Sequence, residues 1–227
     1  MSQPPPPGQR FYELGSLLQA YAQTGFTFSD TAETPGPGLA SYLRIAARDP
    51  ERAATALRQI DDLLSVGLFS EEIADEVENL PRIRPPMGAS VEDCLRIVRG
   101  HLYQLLQDPS RVPYANPQNS WEWNERFPAL SQLLGAYFHR DFSYIYDSRD
   151  EVLDEYVSEA LPEDRAQAVQ EMGELLAMSS SDHELDTATE ALGLDLLPPQ
   201  GMSLRQWLEM ICHRVAFSDR PWKSFGG

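Results

Sequence analysis

Six carboxylates crowd one short stretch of the sequence: Asp147, Asp150, Glu151, Asp154, Glu155 and Glu159. Asp150, Glu151, Asp154 and Glu155 stand at i, i+1, i+4 and i+5, which puts them on one face of a helix, and Glu159 extends the row. Acids so placed could hold a divalent cation, share a proton in acid–base catalysis, face water, or meet a basic protein surface. Like charges at i, i+4 cost a helix roughly a few tenths of a kcal/mol each, so the row is mildly unfavourable unless something cationic meets it. Tyr144 and Tyr146 lie just upstream. Tyrosine brings much contact area at little side-chain entropy, which suits an interface anchor.

Other arrangements that could do chemistry are weak. His101, His139, His183 and His213 form no helical histidine pair, and no Cys/His cluster has metal-ligand spacing. They read as surface or boundary histidines. Ser179-Ser180-Ser181 beside Asp182 and His183 contains nucleophile and base types, but Ser181-Asp-His-Glu184 already reads as a capping box at a helix start. There is no glycine-rich phosphate loop and no Gly-x-Ser-x-Gly turn. The reading is of a protein with no catalytic, cofactor or metal site, whose candidate contact residues are Tyr144, Tyr146, Asp147, Asp150, Glu151, Asp154, Glu155 and Glu159.

The elements that position these residues are written twice. FYELGSLLQAYAQTGFTF, from Phe11, returns as FPALSQLLGAYFHRDFSY, from Phe127, at an offset of 116. The offset becomes 112 at Pro50-Glu51 against Pro162-Glu163, and 113 at Pro85-Pro86 against Pro198-Pro199. A period near one hundred residues is the size of a small domain, so the expectation is one domain duplicated, each copy with its own core. Apolar stripes at helical spacing recur through both copies, and β-branched alternation is scarce. The predicted fold is all-α: two tandem bundles of about five helices each. In the second copy Pro162, Ser181 and Ser203 open helices, and Gly193 closes one. In the first, Asp49-Pro50, Ser70 and Ser90 open helices with poorer caps, and Phe26 is assigned to the core with its match Phe142. The predicted boundaries are a proline-rich unstructured tail over 1–10, a first copy over 11–107, a linker over 108–126, a second copy over 127–216 and a tail over 217–227, in which Phe217 or Trp222 packs on the body or frays.

The net charge is −17. Residues 1–115 carry 15 acidic against 10 basic side chains, and residues 116–227 carry 20 against 8. Such a chain is repelled by phosphate backbones and anionic membranes, which argues against nucleic-acid or membrane partners, and it attracts basic ones. No apolar run reaches membrane-helix length, and MSQPPPPGQR does not read as a secretory signal. Cys94 aligns with Trp207 rather than with Cys212, so the two cysteines read as unpaired buried thiols of a cytoplasmic protein.

The block FPALSQLLGAYFHRDFSYIYDSRDEVLDEYV and the ending PPQGMSLRQWLEMICHRV resemble the small immunity proteins of bacterial contact-dependent growth inhibition systems. The resemblance rests on Phe127, Leu133, the run Tyr137-Phe138-His139-Arg140-Asp141, the acidic segment from Asp150 to Asp154, and Trp207 in the closing helix. It covers residues 127 to 216. The first copy departs from it, with Gln23-Thr24-Gly25 in place of His139-Arg140-Asp141, Arg44 and Arg48 on the helix aligned with the acidic one, and Cys94 in place of the tryptophan. The resemblance implies a cytoplasmic protein that binds and neutralises a cognate toxin domain encoded beside it, without enzymatic turnover and without a cofactor. Such toxins are often basic nucleases, which an acidic inhibitor would meet with complementary charge. A monomer with two pseudo-equivalent domains is expected. Two alternatives stay open: a helical adaptor joining two partners, one per copy, and an enzyme using its carboxylates.

Overall fold

The computed structural model describes residues 10–68, 70, 73–113, 115–139, 144 and 146–217. The proline-rich segment before Arg10, Arg140-Asp141, Phe142 and the end of the chain with Trp222 lie outside them. The described residues are helical, with no strand; a single isolated bridge joins Thr27 and Arg84. The chain divides into two compact units at Gln118/Asn119.

The first unit contains α1 (Tyr12–Gln19), α2 (Pro37–Ala46), α3 (Pro50–Val66), the single-turn α4 (Ala74–Glu78) and α5 (Val91–Gln107). Local chemistry sets most of the starts. The Asp49 carboxylate accepts from the Glu51 amide at 3.2 Å, with Pro50 as the first helical residue, where its missing N–H costs nothing. Ser90 and Asp93 form a complete capping box, but α1, α2 and α4 begin without a side-chain cap. The fourth α-helix begins at Ala74, and the Ser70 carbonyl accepts from the Ile73 amide in the turn before it. Leu14, Leu17, Tyr42, Ile60, Val98 and Leu102 are fully buried. Phe26 is not in this core: it is half-buried at φ 61°, and Phe28 is the buried ring, stacked 6.0 Å from Tyr21. The loop is fixed by backbone bonds from Arg84 N–H to Phe26 and from Phe28 N–H to Arg84, which override the local pattern of apolar residues. His101 is buried as well, its Nε2 2.7 Å from the Thr31 carbonyl oxygen.

The second unit contains α6 (Ser120–Arg126), α7 (Pro128–Tyr137), α8 (Arg149–Glu159), α9 (Pro162–Met178), α10 (Asp182–Ala191) and α11 (Leu204–Ala216). α6 corrects the expected linker. The Asn119 side chain caps it by accepting from the Glu122 amide at 3.0 Å, and Trp123 enters the core, stacked 5.7 Å from Phe127. Ser203 and Gln206 form a full capping box. The Ser181 box is only half made: Ser181 caps the Glu184 amide, but the Glu184 carboxylate turns to the amide and hydroxyl of Ser180. Gly193 does end α10, at φ 93°, and a Cβ there would stand 2.8 Å from the Gly135 backbone. The core is one cluster through all six helices, including Leu130, Leu134, Phe138, Leu153, Met172, Leu185, Trp207 and Ile211. Phe217 lies half exposed against the His213 ring, 4.6 Å away.

Three contacts recur at the sequence offsets. The Arg10–Asp62 ion pair is matched by Arg126–Glu174. The Arg10 guanidinium lies 5.4 Å from the centroid of the Phe11 ring, and Arg126 lies 5.0 Å from that of Phe127. Arg10 therefore belongs to the folded unit, not to the tail. The Leu14 amide donates to the Gln59 side chain at 2.8 Å, and the Leu130 amide donates to Glu171 at 2.8 Å. Each helix start is thus satisfied by a buried side chain from the long proline-led helix, since its first amides have no helical partner.

The last pair differs in charge, which has a consequence for pH. Burial pushes the Glu171 carboxyl above the usual glutamate range, and its bonds from Leu130 and Gln167 offset only part of that. The folded state therefore holds a proton more tightly than the unfolded chain. Stability falls as pH rises between the unfolded and folded pKa values, and the full cost stands above the latter. Glu171→Gln keeps an acceptor for Leu130, as Gln59 does in the first unit. It should stabilise the second unit at pH 7, and the advantage over wild type should shrink as pH falls through the folded pKa to the ordinary glutamate value. Urea unfolding across pH 4 to 8, roughly the span of carboxylate titration, checks this.

Candidate functional site

α8 carries the acidic row, and its start explains why acids are tolerated there. Ser148 caps it, accepting from the Glu151 amide at 3.2 Å, while the Glu151 carboxylate accepts from the Asp147 amide at 2.8 Å. Asp150 and Glu151 occupy the first turn, where the helix dipole favours negative charge. Val152, Leu153 and Tyr156 point into the core, which leaves the acids outward.

The row is less bare than its spacing suggests. Asp154 pairs with Arg214 of α11. Glu159 accepts from the Tyr137 hydroxyl at 3.0 Å. Glu155 is half-buried beside Tyr146, whose phenol is raised by burial and then by that carboxylate. Burial, and then Glu159, push Tyr137 up to about 12. Asp147 and Asp150 are exposed, and Tyr144 is 88% exposed. The structure therefore brings Tyr146, Glu155 and Glu159 together around Tyr137 and places Asp150 at the helix start. It sets Asp154 apart with its own cation, and Tyr144 is exposed. The cost assigned to the row of like charges is partly met within the chain, by Arg214, the helix dipole and the Tyr137 hydroxyl.

Behind this face is a cavity of ≈ 460 Å³ between α7, α8 and the start of α9. Ala129, Gln132, Tyr137, Tyr156, Glu159 and Asp164 are among the residues that line it. Tyr137 and Tyr156 meet edge to face, ring centres 5.3 Å apart. In the sequence Tyr137 and Tyr156 fall on apolar stripes at helical spacing, and Asp164 belongs to no motif. Only a comparison of the two units at the sequence offsets could have found the cavity, because the first has Glu13 and Arg52 where the second has Ala129 and Asp164.

The other candidates resolve as structure. Ser181 caps α10, and Glu184 is held below its usual range by the Ser180 hydrogen bonds. His183 and His213 are exposed, and Cys94 and Cys212 are free thiols. Among the described residues no group of three or more His, Cys, Asp or Glu side chains is placed to hold a metal ion. No helix among them is long and apolar enough to cross a membrane.

Residues 126–215 match a family model described as CdiI immunity protein. The matched stretch lies wholly within the second unit and includes both the acidic face and the cavity. No curated protein and no solved structure matches the chain.

Proposed function

We propose that this chain is a cytoplasmic immunity protein that neutralises a toxin encoded beside it by binding the toxin domain through the second unit. The observation that carries this is the match of residues 126–215 to CdiI immunity proteins, over a unit that holds the larger share of the negative charge. The exposed acids Asp147, Asp150 and Glu151, the cluster of Glu155, Glu159 and Tyr146, and the protruding Tyr144 supply its contact surface; Asp154 sets the edge through Arg214. A basic nuclease is the toxin class that such a surface suits, since opposite charge raises association rate and selectivity together.

The first unit reads as a diverged duplicate. The three matched contacts around Arg10, Phe11, Leu14, Gln59 and Asp62 support descent from one domain. Its α2 carries Arg44, with Arg48 just past its end, where α8 carries acids, which argues against the same partner binding both units. Co-expression of the chain with the neighbouring toxin domain should restore growth, and the purified proteins should elute as one stoichiometric complex. A toxin that stays lethal despite abundant folded protein would refute this reading.

A further inference from the structure

The geometry points to the cavity of the second unit as a socket for an arginine side chain of the partner protein. The inference rests on the proposed toxin-binding function but is carried by the first unit, where the corresponding place is filled from within. There Arg52 donates from Nε to Glu13 at 2.8 Å and from its terminal nitrogen to the Ser16 hydroxyl at 2.9 Å. Its guanidinium carbon lies 5.8 Å from the centre of the Tyr42 ring, and the Tyr42 hydroxyl donates to the same Glu13 oxygen at 2.8 Å. Carboxylate, hydroxyl and aromatic ring thus hold a guanidinium between α1, α2 and α3.

The second unit keeps this frame and lacks the occupant. At the sequence offsets Glu13 becomes Ala129, Ser16 becomes Gln132 and Arg52 becomes Asp164. Removal of the long Glu13 and Arg52 side chains leaves the cavity. Tyr156 stands on its wall as Tyr42 stands beside Glu13, and Glu159 and Asp164 bring negative charge to it. Tyr156 is 3% exposed overall, but its hydroxyl is not cut off from the water of the cavity, and an arginine entering there would replace that water as its donor. Among the described residues no basic side chain lines the cavity; Arg165 acts on Tyr156 from outside the lining.

Arginine fits this place better than lysine. Its planar fork can bond two carboxylates and a side-chain amide while its face lies on a tyrosine ring, whereas an ammonium offers a point charge that is harder to dehydrate. Contacts made inside the cavity act on the dissociation rate, whereas Glu159 and Asp164 at its rim, both exposed, act on approach as well.

The test uses the full chain and two probes, N-acetyl-arginine amide and N-acetyl-lysine amide, followed by NMR. The arginine probe should give saturable shifts centred on the side-chain amides of Gln132 and Gln167 and on the Tyr137 and Tyr156 rings, with the lysine probe several-fold weaker. The variant Ala129→Glu/Asp164→Arg rebuilds the plug of the first unit. It should abolish those shifts and weaken toxin binding by about 10- to 100-fold, mainly through faster dissociation. If that variant does not fold, Glu159→Gln/Asp164→Asn keeps the shape, removes the charge, and should weaken both probe and toxin about tenfold. Shifts spread over the acidic surface, equal shifts from both probes, or unchanged toxin affinity in a folded variant would overturn the socket. Toxin neutralisation by wild type is scored separately, so the socket can fail while the immunity reading stands, and the probe titration judges the socket if that reading fails.

Discussion

Reversing Asp150 and Glu155 to lysine should slow association with the toxin domain by about 10- to 100-fold at low salt, and by much less near physiological ionic strength. The two acids lie on the outward side of α8, and neither is needed to build it. Ser148 and Glu151 make the helix start, and Val152, Leu153 and Tyr156 make its buried side. Asp154 is left unchanged because its reversal would set a lysine against Arg214 and test the fold rather than the contact. Asp150 is exposed and contributes little to stability, while Glu155 is half-buried beside Tyr146, so the folded fraction of the variant is measured first by circular dichroism. Stopped-flow association at several salt concentrations separates the effect on approach from any effect on dissociation. An unchanged low-salt rate in the folded variant removes this face from the interface.

Trp207→Ala should remove about 3–5 kcal/mol from the second unit, a large part of the roughly 5–15 kcal/mol that holds a domain folded. Trp207 is fully buried, meets Phe138 edge to face at 5.6 Å, and lies under the Arg149 guanidinium at 5.7 Å. Its loss therefore opens a void where α7, α8 and α11 converge, directly behind the acidic helix. Urea unfolding of the full chain should show one transition moving to a much lower midpoint, with toxin binding lost at the same urea concentration. The residue aligned with it in the first unit is Cys94, buried but small. Cys94→Ala should leave toxin binding intact. A Trp207→Ala chain that unfolds like wild type would mean that this ring does not join the three helices.

What the sequence disclosed follows the range of the forces involved. Helix starts at Asp49-Pro50, Ser90, Pro162 and Ser203 were legible because capping is a matter of three or four neighbouring residues. The all-helical class and the inward stripes of α7 and α11 were legible through apolar spacing; the inward face of α9 was legible only at Met172 and Leu175, since Ala166 is exposed and Ala168 and Glu171 are buried. α6 was not, since seven residues between prolines and a phenylalanine carry too little periodicity; its stability comes from Trp123 reaching the core. Phe26 was misplaced because its backbone is held by Arg84, far along the chain. The acidic row was visible as composition, but its division among Arg214, Tyr137 and Tyr146 depends on which helices neighbour α8. The cavity was hidden for a different reason: it arises from side chains that are missing, and an alanine in a helical stripe signals nothing until Glu13 is set against it.

Neutralisation of a toxin by stoichiometric binding through residues 119–217 is decided by titration. A fixed amount of the neighbouring toxin domain, assayed for its own activity, is mixed with increasing amounts of this protein. Inhibition should rise in proportion to the protein added and be complete at one equivalent, with an identical end point for Cys94→Ala. Full neutralisation at a small fraction of an equivalent would mean turnover, and persistent activity at a large excess would mean that the toxin is not this protein's partner.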